Sequence, residues 1–203
     1  MRLVVPVSGS DPKTRLSPVL TPEERREFTE SMLADVLGAL DAAGHSPEVV
    51  STAPVDCDAP VTVDDRGLDA LVNDLLVETD GALAVVMADL PLLTPAAVRQ
   101  LFDPDEDVVL APGLGGGTNA FVCRHPGFRV DYHGASIRDH RRLASEAGAS
   151  VAEVDSRRLA TDIDEAADLA EVLLHSDGAT DDWLRDAGFE LVVDDGRVTV
   201  DRA

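Results

Sequence analysis

The chain has 203 residues, of which seventeen are basic and thirty-nine are acidic, so its formal net charge is −22 at pH 7. A surface this acidic repels polyanions, which excludes nucleic acid and anionic membranes as partners over most of its area. The length and the 44% hydrophobic content predict one globular domain with a sizeable core. An anionic ligand must therefore bind at a local basic site.

The acidic residues are mostly aspartates and are spread along the whole chain, a distribution typical of proteins adapted to high salt. At molar salt the Debye length is about 3 Å, so repulsion among these carboxylates is strongly screened. No apolar run approaches the roughly 20 residues of a membrane-spanning helix, and the apolar N-terminal stretch is too short for a secretory signal. We therefore expect a halophilic, cytoplasmic protein with no membrane partner.

Turn and cap signals divide the chain into alternating strands and helices. After a strand at 3–7, Thr21-Pro22-Glu23-Glu24 combines a capping box with proline at the first helical position, which predicts a helix that ends near Gly44. The next predicted elements are a strand at 48–52, a helix at 67–78, a strand at 82–88, a helix from Thr94-Pro95, strands at 107–111 and 118–124, a helix between the cap-like pair Ser136/Asp139 and Gly148, a strand at 150–154 and a helix after 161–164. This alternation predicts an α/β fold with a mainly parallel, Rossmann-like sheet and helices on both faces.

The sequence contains no linker long enough to separate two domains. Residues 1–175 are expected to form the functional domain. Residues 176–203 are expected to form a C-terminal appendage, made of a short helix and a hairpin that turns at Asp195-Gly196.

In open α/β sheets, ligands bind beyond the carboxyl ends of the strands, so the loop after the first strand is a candidate site. It contains Lys13, the only lysine beside sixteen arginines, together with Arg15 and a Ser8-Gly9-Ser10 segment whose amides can approach an anion. Two cations two residues apart suit a triphosphate, although such a pair is also typical of solvated surface. Retention of one compact ammonium group in a chain that otherwise uses arginine favours the phosphate-binding interpretation.

Three aspartates, one directly after a predicted strand and two in an extended segment, suit a divalent cation. Asp89 lies just beyond a buried strand, where it is either a ligand of magnesium or a turn residue. Asp162 and Asp164 alternate in an extended segment, so their carboxylates point the same way and repel each other unless a cation lies between them. The alternative for Asp164 is that it caps the following helix.

Two further segments have the composition of anion sites. The glycine-rich run GLGGGTNA at 113–120 is either a place where a ligand approaches the backbone, a flexible lid or a loose hairpin. In HGASIRDH, Gly134 and the helix start at Ser136 offer amides and a hydroxyl to a carboxylate or phosphate, with His140 one turn further on. The alternative is that Ser136 is only a cap. No arrangement typical of a nucleophilic triad is present in the sequence.

The motifs taken together resemble one known family. In chain order they are V-P-V, K-T-R-L-S-P, T-P-E-E-R, A-D-L-P-L-L, G-G-T-N-A, H-G-A-S-x-x-x-H and D-I-D-x-x-x-D-L, from Met1 to about Leu174. This series resembles the 2-phospho-L-lactate guanylyltransferase family, CofC, which serves the synthesis of the deazaflavin coenzyme F-420. The resemblance implies a nucleotide-diphospho-sugar-transferase-like fold, with Mg²⁺ and GTP, and transfer of GMP to the phosphate of 2-phospho-L-lactate or phosphoenolpyruvate with release of pyrophosphate.

The same resemblance implies a role for individual residues. Catalysis and the grip on the triphosphate are assigned to Lys13, Arg15 and Asp89. Further nucleotide contacts are assigned to Ser8, Gly9 and Gly67. The metal ligands are Asp89, Asp162 and Asp164. Binding of the phosphorylated acid is assigned to Thr118, Asn119, Gly134, Ser136 and His140.

Three departures from the family pattern are visible. Ser8 stands where a further lysine is frequent, so one phosphate contact is lost or passes to a backbone amide. Asp69 stands where asparagine is usual, near the nucleotide. The tail after residue 176 matches no motif, and we expect it to serve dimerisation or salt tolerance in a homodimer.

Two other functions compete with this interpretation. One is a different nucleotidyltransferase of the same fold, such as a molybdenum-cofactor guanylyltransferase, whose first loop normally carries a longer glycine-rich run. The other is a nucleotide-binding domain without turnover, for which Asp89, Asp162 and Asp164 need not converge near Lys13.

Overall fold

The computed structural model describes residues 1–194 and 196–202, and seven strands of this part of the chain form one sheet. The strands are β1 (Arg2–Val7), β2 (Glu48–Ser51), β3 (Val61–Val63), β4 (Leu83–Val86), β5 (Val108–Pro112), β6 (Thr118–Cys123) and β7 (Val151–Glu153). Their order is β3-β2-β1-β4-β6-β5-β7, and β6 runs antiparallel to both of its neighbours while the other pairs are parallel. The predicted mainly parallel α/β sheet is confirmed.

The helices cover both faces of this sheet. They are α1 (Pro22–Ala42), α2 (Leu68–Glu78), α3 (Pro95–Phe102), α4 (Ser136–Glu146), α5 (Arg157–Ala160), α6 (Leu169–His175) and α7 (Ala179–Asp186). Apolar residues of α1 and α3 share a core with one face of the sheet, whereas α2 and α4 share a core with the other. Among the described residues, no helix has both the length and the apolar character needed to cross a membrane.

Helix α1 begins as the sequence predicts. The Thr21 hydroxyl accepts a hydrogen bond from the Glu24 amide at 3.2 Å, and the Glu24 carboxylate accepts one from the Thr21 amide at 2.8 Å. This reciprocal pair satisfies two of the amides that a helix start leaves without partners. At the other end Gly44 has a φ of 88°, a conformation that favours glycine and ends the helix.

The C-terminal region contributes to a third apolar core. Helix α7 and the hairpin of β8 (Phe189–Asp194) and β9 (Arg197–Arg202) follow α6, as predicted, although Asp195 of the predicted turn lies outside the described residues. Phe28 and Met32 of α1, both fully buried, share this core with Leu184 of α7 and Phe189 of β8. The appendage is therefore packed onto the outer side of α1.

Several local predictions differ from the structure. The edge strand β3 and the four-residue helix α5 were not predicted, because three exposed residues and a single turn give too little periodicity. Ser136 was predicted to cap α4, which is wrong. The N-cap position is Ala135 and makes no side-chain cap, whereas the Ser136 hydroxyl lies 3.5 Å from the Thr118 hydroxyl.

Candidate active site

A pocket of about 460 Å³ opens at the carboxyl ends of β1 and β4. Five of the residues proposed from the sequence line it: Ser8, Lys13, Arg15, Asp89 and Asp164. They come from three separate segments, which meet here because β1 and β4 are parallel neighbours and the Ile163 amide donates to the Asp89 carbonyl at 3.1 Å. The part of the pocket next to β1 and β4 therefore combines two cations and two carboxylates.

Lys13 lies between the carboxylates. Its Nζ is 2.7 Å from Oδ2 of Asp89 and 2.6 Å from Oδ1 of Asp164, and Nη1 of Arg15 is 3.3 Å from Oδ2 of Asp164. Only 11% of the Lys13 side chain is exposed, against 67% of the Arg15 side chain. Lys13 is therefore the interior cation of the pocket and Arg15 is the cation at its mouth.

A buried arginine holds the loop that carries Lys13. Asp11 and Lys13 both have positive φ, at 48° and 50°, which is uncommon for residues other than glycine and costs about 1–3 kcal/mol. Arg25 of α1 donates through Nε to the Pro12 carbonyl at 2.9 Å and pairs through Nη2 with Asp11. Because Arg25 is only 5% exposed, these contacts fix the loop in the conformation that directs Lys13 into the pocket.

The charge state of Lys13 follows from its partners. Burial alone lowers the pKa of this ammonium group, but the negative charges of Asp89 and Asp164 and their hydrogen bonds outweigh burial, so the pKa is raised. Lys13 therefore stays protonated throughout the neutral range.

Asp162 lies close to the same two aspartates but is not part of the pocket lining. Its Oδ1 accepts a hydrogen bond from Nδ2 of Asn119 at 3.0 Å. Burial raises the pKa of Asp162, the Asn119 bond opposes the rise, and the charges of Asp89 and Asp164 add to it. Asp162 therefore lies near enough to Asp89 and Asp164 for their charges to act on it, and three neighbouring carboxylates form a donor set that suits a cation.

The glycine-rich run positions Asn119. It forms the loop of the β5–β6 hairpin, closed by a 3.0 Å bond from the Gly113 amide to the Gly117 carbonyl. A Cβ atom at Gly113 would lie 2.4 Å from Oδ1 of Asn119. Glycine is therefore required at 113 for the Asn119 side chain to reach Asp162.

The three aspartates do not form a ready-made cage. Within residues 1–194 and 196–202, the one group of three His, Cys, Asp or Glu ligand atoms within 4.8 Å of one another is Asp69, Asp131 and His133. Magnesium is usually held by one or two carboxylates together with substrate phosphates, so wider spacing in the pocket suits a metal that binds together with a nucleotide. In the other group, Asp69 accepts the Tyr132 amide at 2.7 Å, which ties the loop before α4 to α2.

A second polar cluster, made of Thr118, Ser136 and His140, adjoins Asn119. The Thr118 hydroxyl lies 2.9 Å from Nδ1 of His140 and 3.5 Å from the Ser136 hydroxyl. Nε2 of His140 accepts the Asp131 amide at 3.0 Å, so the ring proton of the neutral imidazole is on Nδ1 and is donated to Thr118. Burial lowers the pKa of His140 to about 4, so the ring is neutral at pH 7.

Three of the proposed glycines lie outside the pocket lining. The Gly9 amide donates to the Thr52 hydroxyl at 3.0 Å, and a Cβ at Gly9 would lie 2.7 Å from Oγ of Ser51, so Gly9 permits close packing against the end of β2. Gly67 is the N-cap of α2. Gly134 has a φ of 61° in the turn before α4. Gly9 and Gly67 are each next to residues that line the pocket, and Gly134 precedes the helix that carries Ser136.

The sequence did not indicate two arginines that contribute to the site, Arg66 in the pocket lining and Arg25 behind the Lys13 loop. Arg66 donates to Asp64 through Nε at 3.0 Å and Nη2 at 2.7 Å. An arginine directly before the predicted α2 in a strongly acidic chain was the available signal. The burial of Arg25 left no such signal, because it resembles any other charged residue of an amphipathic helix.

The fold is shared with solved structures of low sequence identity. A Desulfovibrio desulfuricans protein assigned as a nucleotide-diphospho-sugar transferase superposes with a TM-score of 0.71 at 16% identity, over 91% of this chain and 93% of its own. A Mycobacterium tuberculosis protein solved in complex with manganese superposes with a TM-score of 0.52 at 16% identity, over 86% of this chain and 99% of its own. These likenesses show the fold of nucleotide-diphospho-sugar transferases.

Sequence comparison identifies the family. The model for "Guanylyl transferase CofC like" proteins matches residues 1–202. A 2-phospho-L-lactate guanylyltransferase of Haloarcula marismortui is 72% identical over 206 residues, covering 100% of this chain and 99% of the relative. The enzyme of the same name from Haloferax volcanii is 60% identical over 199 residues, covering 98% and 97%. The chain therefore belongs to the CofC-like guanylyl transferase family.

Proposed function

We propose that this protein transfers GMP from GTP to the phosphate of 2-phospho-L-lactate or phosphoenolpyruvate. For phospholactate the products are pyrophosphate and lactyl diphosphoguanosine. Lactyl diphosphoguanosine is an activated intermediate of coenzyme F-420 biosynthesis. The observation that carries the proposal is the contact of Lys13 with Asp89 and Asp164 in a pocket next to the Thr118–His140 cluster, in a chain 72% identical to a protein of that name. These contacts support a site for the triphosphate at Lys13 and a site for the acceptor phosphate at the neighbouring cluster.

Lys13 and Arg15 are proposed to bind the triphosphate. Lys13 is held at the pocket interior, and Arg15 is more exposed and contacts the other oxygen of Asp164. Two cations at this spacing neutralise the charge that accumulates on pyrophosphate as it leaves. Positioning and charge neutralisation account for most of the catalysis in such transfers.

Asp89, Asp162 and Asp164 are proposed to hold a divalent cation, which we take to be Mg²⁺. The Lys13 ammonium group lies between Asp89 and Asp164, so the space between these carboxylates already accepts a positive charge. A divalent cation held by these carboxylates together with the nucleotide phosphates would share them with Lys13 and would supply charge neutralisation at the transferred phosphate. Asn119 holds Asp162 in the orientation that faces the other two carboxylates.

Thr118, Ser136, His140 and the turn at Gly134 are proposed to bind the phosphate of the acceptor acid. Because the Thr118 oxygen accepts from His140, its own O–H remains to be donated to an anion. Because Nδ1 of His140 carries the proton given to Thr118 and Nε2 already accepts the Asp131 amide, His140 orients Thr118 and is not a general base. None is required, because an ionised phosphate is itself the nucleophile.

The two competing functions are less well supported. The family match extends over residues 1–202 and favours the phospholactate enzyme over a molybdenum-cofactor guanylyltransferase. A nucleotide-binding domain without turnover does not require a lysine held by two aspartates from different loops. We also propose, from the charge of −22 and relatives in halophilic archaea, that the enzyme works in a salt-rich cytoplasm.

The homodimer and the division at residue 175 stay proposals. Val193 and Val198 pair across the C-terminal hairpin and are 74% and 44% exposed, which is an apolar surface that a second copy could cover. Light scattering at high potassium chloride tests this. A monomer at all concentrations would contradict it.

The function is tested by pyrophosphate release in high potassium chloride with MgCl₂ and GTP. The phosphorylated acids to compare are 2-phospho-L-lactate, phosphoenolpyruvate and 3-phosphoglycerate. We expect release that requires GTP, the metal and one of the first two acids together. No release with any of the three acids would overturn the proposal.

A further inference from the structure

Arg66 lies at one end of a pocket whose two ends differ in chemistry. Lys13, Arg15, Asp89 and Asp164 line the end at β1 and β4. The other end, beyond β2 and β3, is lined by three apolar side chains, by one hydroxyl and by two charged groups, and its members are Val50, Leu68, Leu71, Thr52, Asp64 and Arg66. This end suits a flat aromatic ring that carries polar groups on its edge.

The sheet sets the distance between these ends. Asp64 and Arg66 follow β3, whereas Asp89 follows β4, and the strand order β3-β2-β1-β4 places three interstrand spacings between them. Three spacings of about 4.8 Å amount to roughly 14 Å. This separation suits a nucleotide that extends across the strand ends, with its phosphates near Lys13 and its base near Arg66.

The guanidinium group of Arg66 is fixed by two carboxylates. Nε and Nη2 donate to Asp64 at 3.0 and 2.7 Å, and Nη1 donates to Asp74 of α2. Of the five N–H groups of an arginine, these contacts use three. Within the part of the chain that the structure describes, the other two, one on Nη1 and one on Nη2, donate to no protein atom.

We propose that Arg66 is the residue that selects guanine, by donating these two N–H groups to O6 and N7 of the base. Guanine presents two adjacent acceptors on this edge, whereas adenine presents N7 beside an amino group, which is a donor. Arginine paired with this edge of guanine is a recurrent specific contact because the fork of donors matches the two acceptors. The proposal deepens the proposed function, on which it rests, by naming what distinguishes GTP from ATP.

The carboxylate of Asp64 is less well suited than Arg66 to recognise the base. Asp64 accepts from the Arg66 amide at 3.1 Å and from Nε and Nη2 of the same residue, so both of its oxygens are engaged. A carboxylate in contact with the base would read the N1–H and the 2-amino group. The two readers therefore predict different responses to removal of the 2-amino group or of N7.

Binding of nucleoside triphosphates without an acceptor acid tests the proposal. Dissociation constants of GTP, ITP, 7-deaza-GTP and ATP are measured by calorimetry in high potassium chloride with MgCl₂. ITP keeps O6 and N7 but lacks the 2-amino group, so it is expected to bind nearly as well as GTP. ATP and 7-deaza-GTP are expected to bind roughly 5- to 150-fold more weakly, the range of about 1–3 kcal/mol for a bidentate base contact.

Two variants complete the test. Arg66→Met should remove most of the preference for GTP over ATP, while the affinity for ATP changes little. Arg142→Met is the matched control, because Arg142 is 50% exposed against 48% for Arg66 and is likewise held by two carboxylates, on α4 away from the pocket lining. It should keep the wild-type preference.

Each outcome has a separate meaning. Equal binding of GTP and 7-deaza-GTP, or an unchanged GTP preference in Arg66→Met, would overturn the role of Arg66. Much weaker binding of ITP than of GTP would also overturn it, in favour of a carboxylate that reads the 2-amino group. Selective GTP binding without pyrophosphate release would instead defeat the proposed function and leave the role of Arg66 standing. Failure of every nucleotide to bind would overturn both.

Discussion

Lys13 and His140 are both basic side chains shielded from water, with 11% of the Lys13 side chain and none of His140 exposed. Burial lowers the pKa of each. Lys13 contacts two carboxylates, so its pKa is raised in spite of burial, whereas the direct partners of His140 are a hydroxyl and a backbone amide, so its pKa falls to about 4. The hydrogen-bond partner of a buried basic side chain therefore decides whether that side chain is positively charged at neutral pH or is neutral and only orients a neighbour.

Lys13→Ala removes the cation of the charged cluster, by which we mean Lys13, Asp89 and Asp164. We expect turnover to fall about 100- to 1,000-fold, the loss typical of removing one group that stabilises developing negative charge. The unfolding free energy should fall by only about 1–2 kcal/mol, because Asp89 and Asp164 are partly exposed and salt cations can reach them. Pyrophosphate release and urea unfolding measure the two effects.

The same variant should bind Mg²⁺ more tightly than the wild type when no nucleotide is present, since both carboxylates then lack their ammonium partner. A loss of stability with turnover preserved would show that Lys13 is a structural residue, which contradicts the assignment.

The neutral cluster consists of Thr118, Ser136 and His140. The lowered pKa of His140 in this cluster can be tested by measuring stability against pH. Between pH 6.5 and about pH 4 the unfolded state protonates His140 and the folded state does not, so the wild type should lose stability as the pH falls through this window. The loss attributable to His140 should reach up to about 3 kcal/mol at pH 4. His140→Gln has no such titration, so the difference in unfolding free energy between the two proteins should change by that amount.

Urea unfolding from pH 8 to pH 4, with both proteins in the same salt, measures this difference. Parallel curves for the two proteins over the whole range would mean that the ring titrates normally and is not desolvated.

The comparison sharpens further at Thr118, where the neutral cluster is proposed to contact the acceptor. Thr118→Val keeps the shape of the side chain but leaves the Nδ1–H group of His140 without a partner, at a cost of about 1–3 kcal/mol in stability. The KM for phospholactate should rise while the KM for GTP stays constant, as steady-state kinetics with each substrate varied can show. Thr118→Ser keeps the hydroxyl and should restore the wild-type KM, and an equal rise for both substrates would argue against the acceptor site.

Local signals predicted the fold well and the charged cluster in part. The capping box at Thr21 and the alternation of strands gave the helices and the sheet, because such patterns are set within a few residues. Positions after strands identified Lys13 and Asp89, because ligands bind beyond the carboxyl ends of strands in an open sheet, and the alternation of two aspartates in an extended segment identified Asp164.

What the sequence could not show are contacts between distant segments. Ser136 has the sequence context of a cap, but its hydroxyl is turned toward Thr118 on another element. Arg25 secures the Lys13 loop through contacts with Pro12 and Asp11 that no periodicity reveals. Such contacts depend on tertiary packing, so residues that position others are harder to predict than residues that touch ligand.

The smallest effect is expected at Thr21. Its hydroxyl accepts a hydrogen bond from the uncharged Glu24 amide at an exposed position. Thr21→Ala removes the acceptor of the Glu24 amide while Glu24 still accepts from the amide of residue 21, so stability should fall by about 1 kcal/mol. For a chain of this size that corresponds to a drop in Tm of about 2–4 °C. Turnover at a temperature well below Tm should not change, and Thr21→Ser should retain the wild-type Tm. A fall in turnover at unchanged Tm would mean that the start of α1 is coupled to the pocket through Arg25, and that Lys13 and His140 are not the only bases whose environment controls activity.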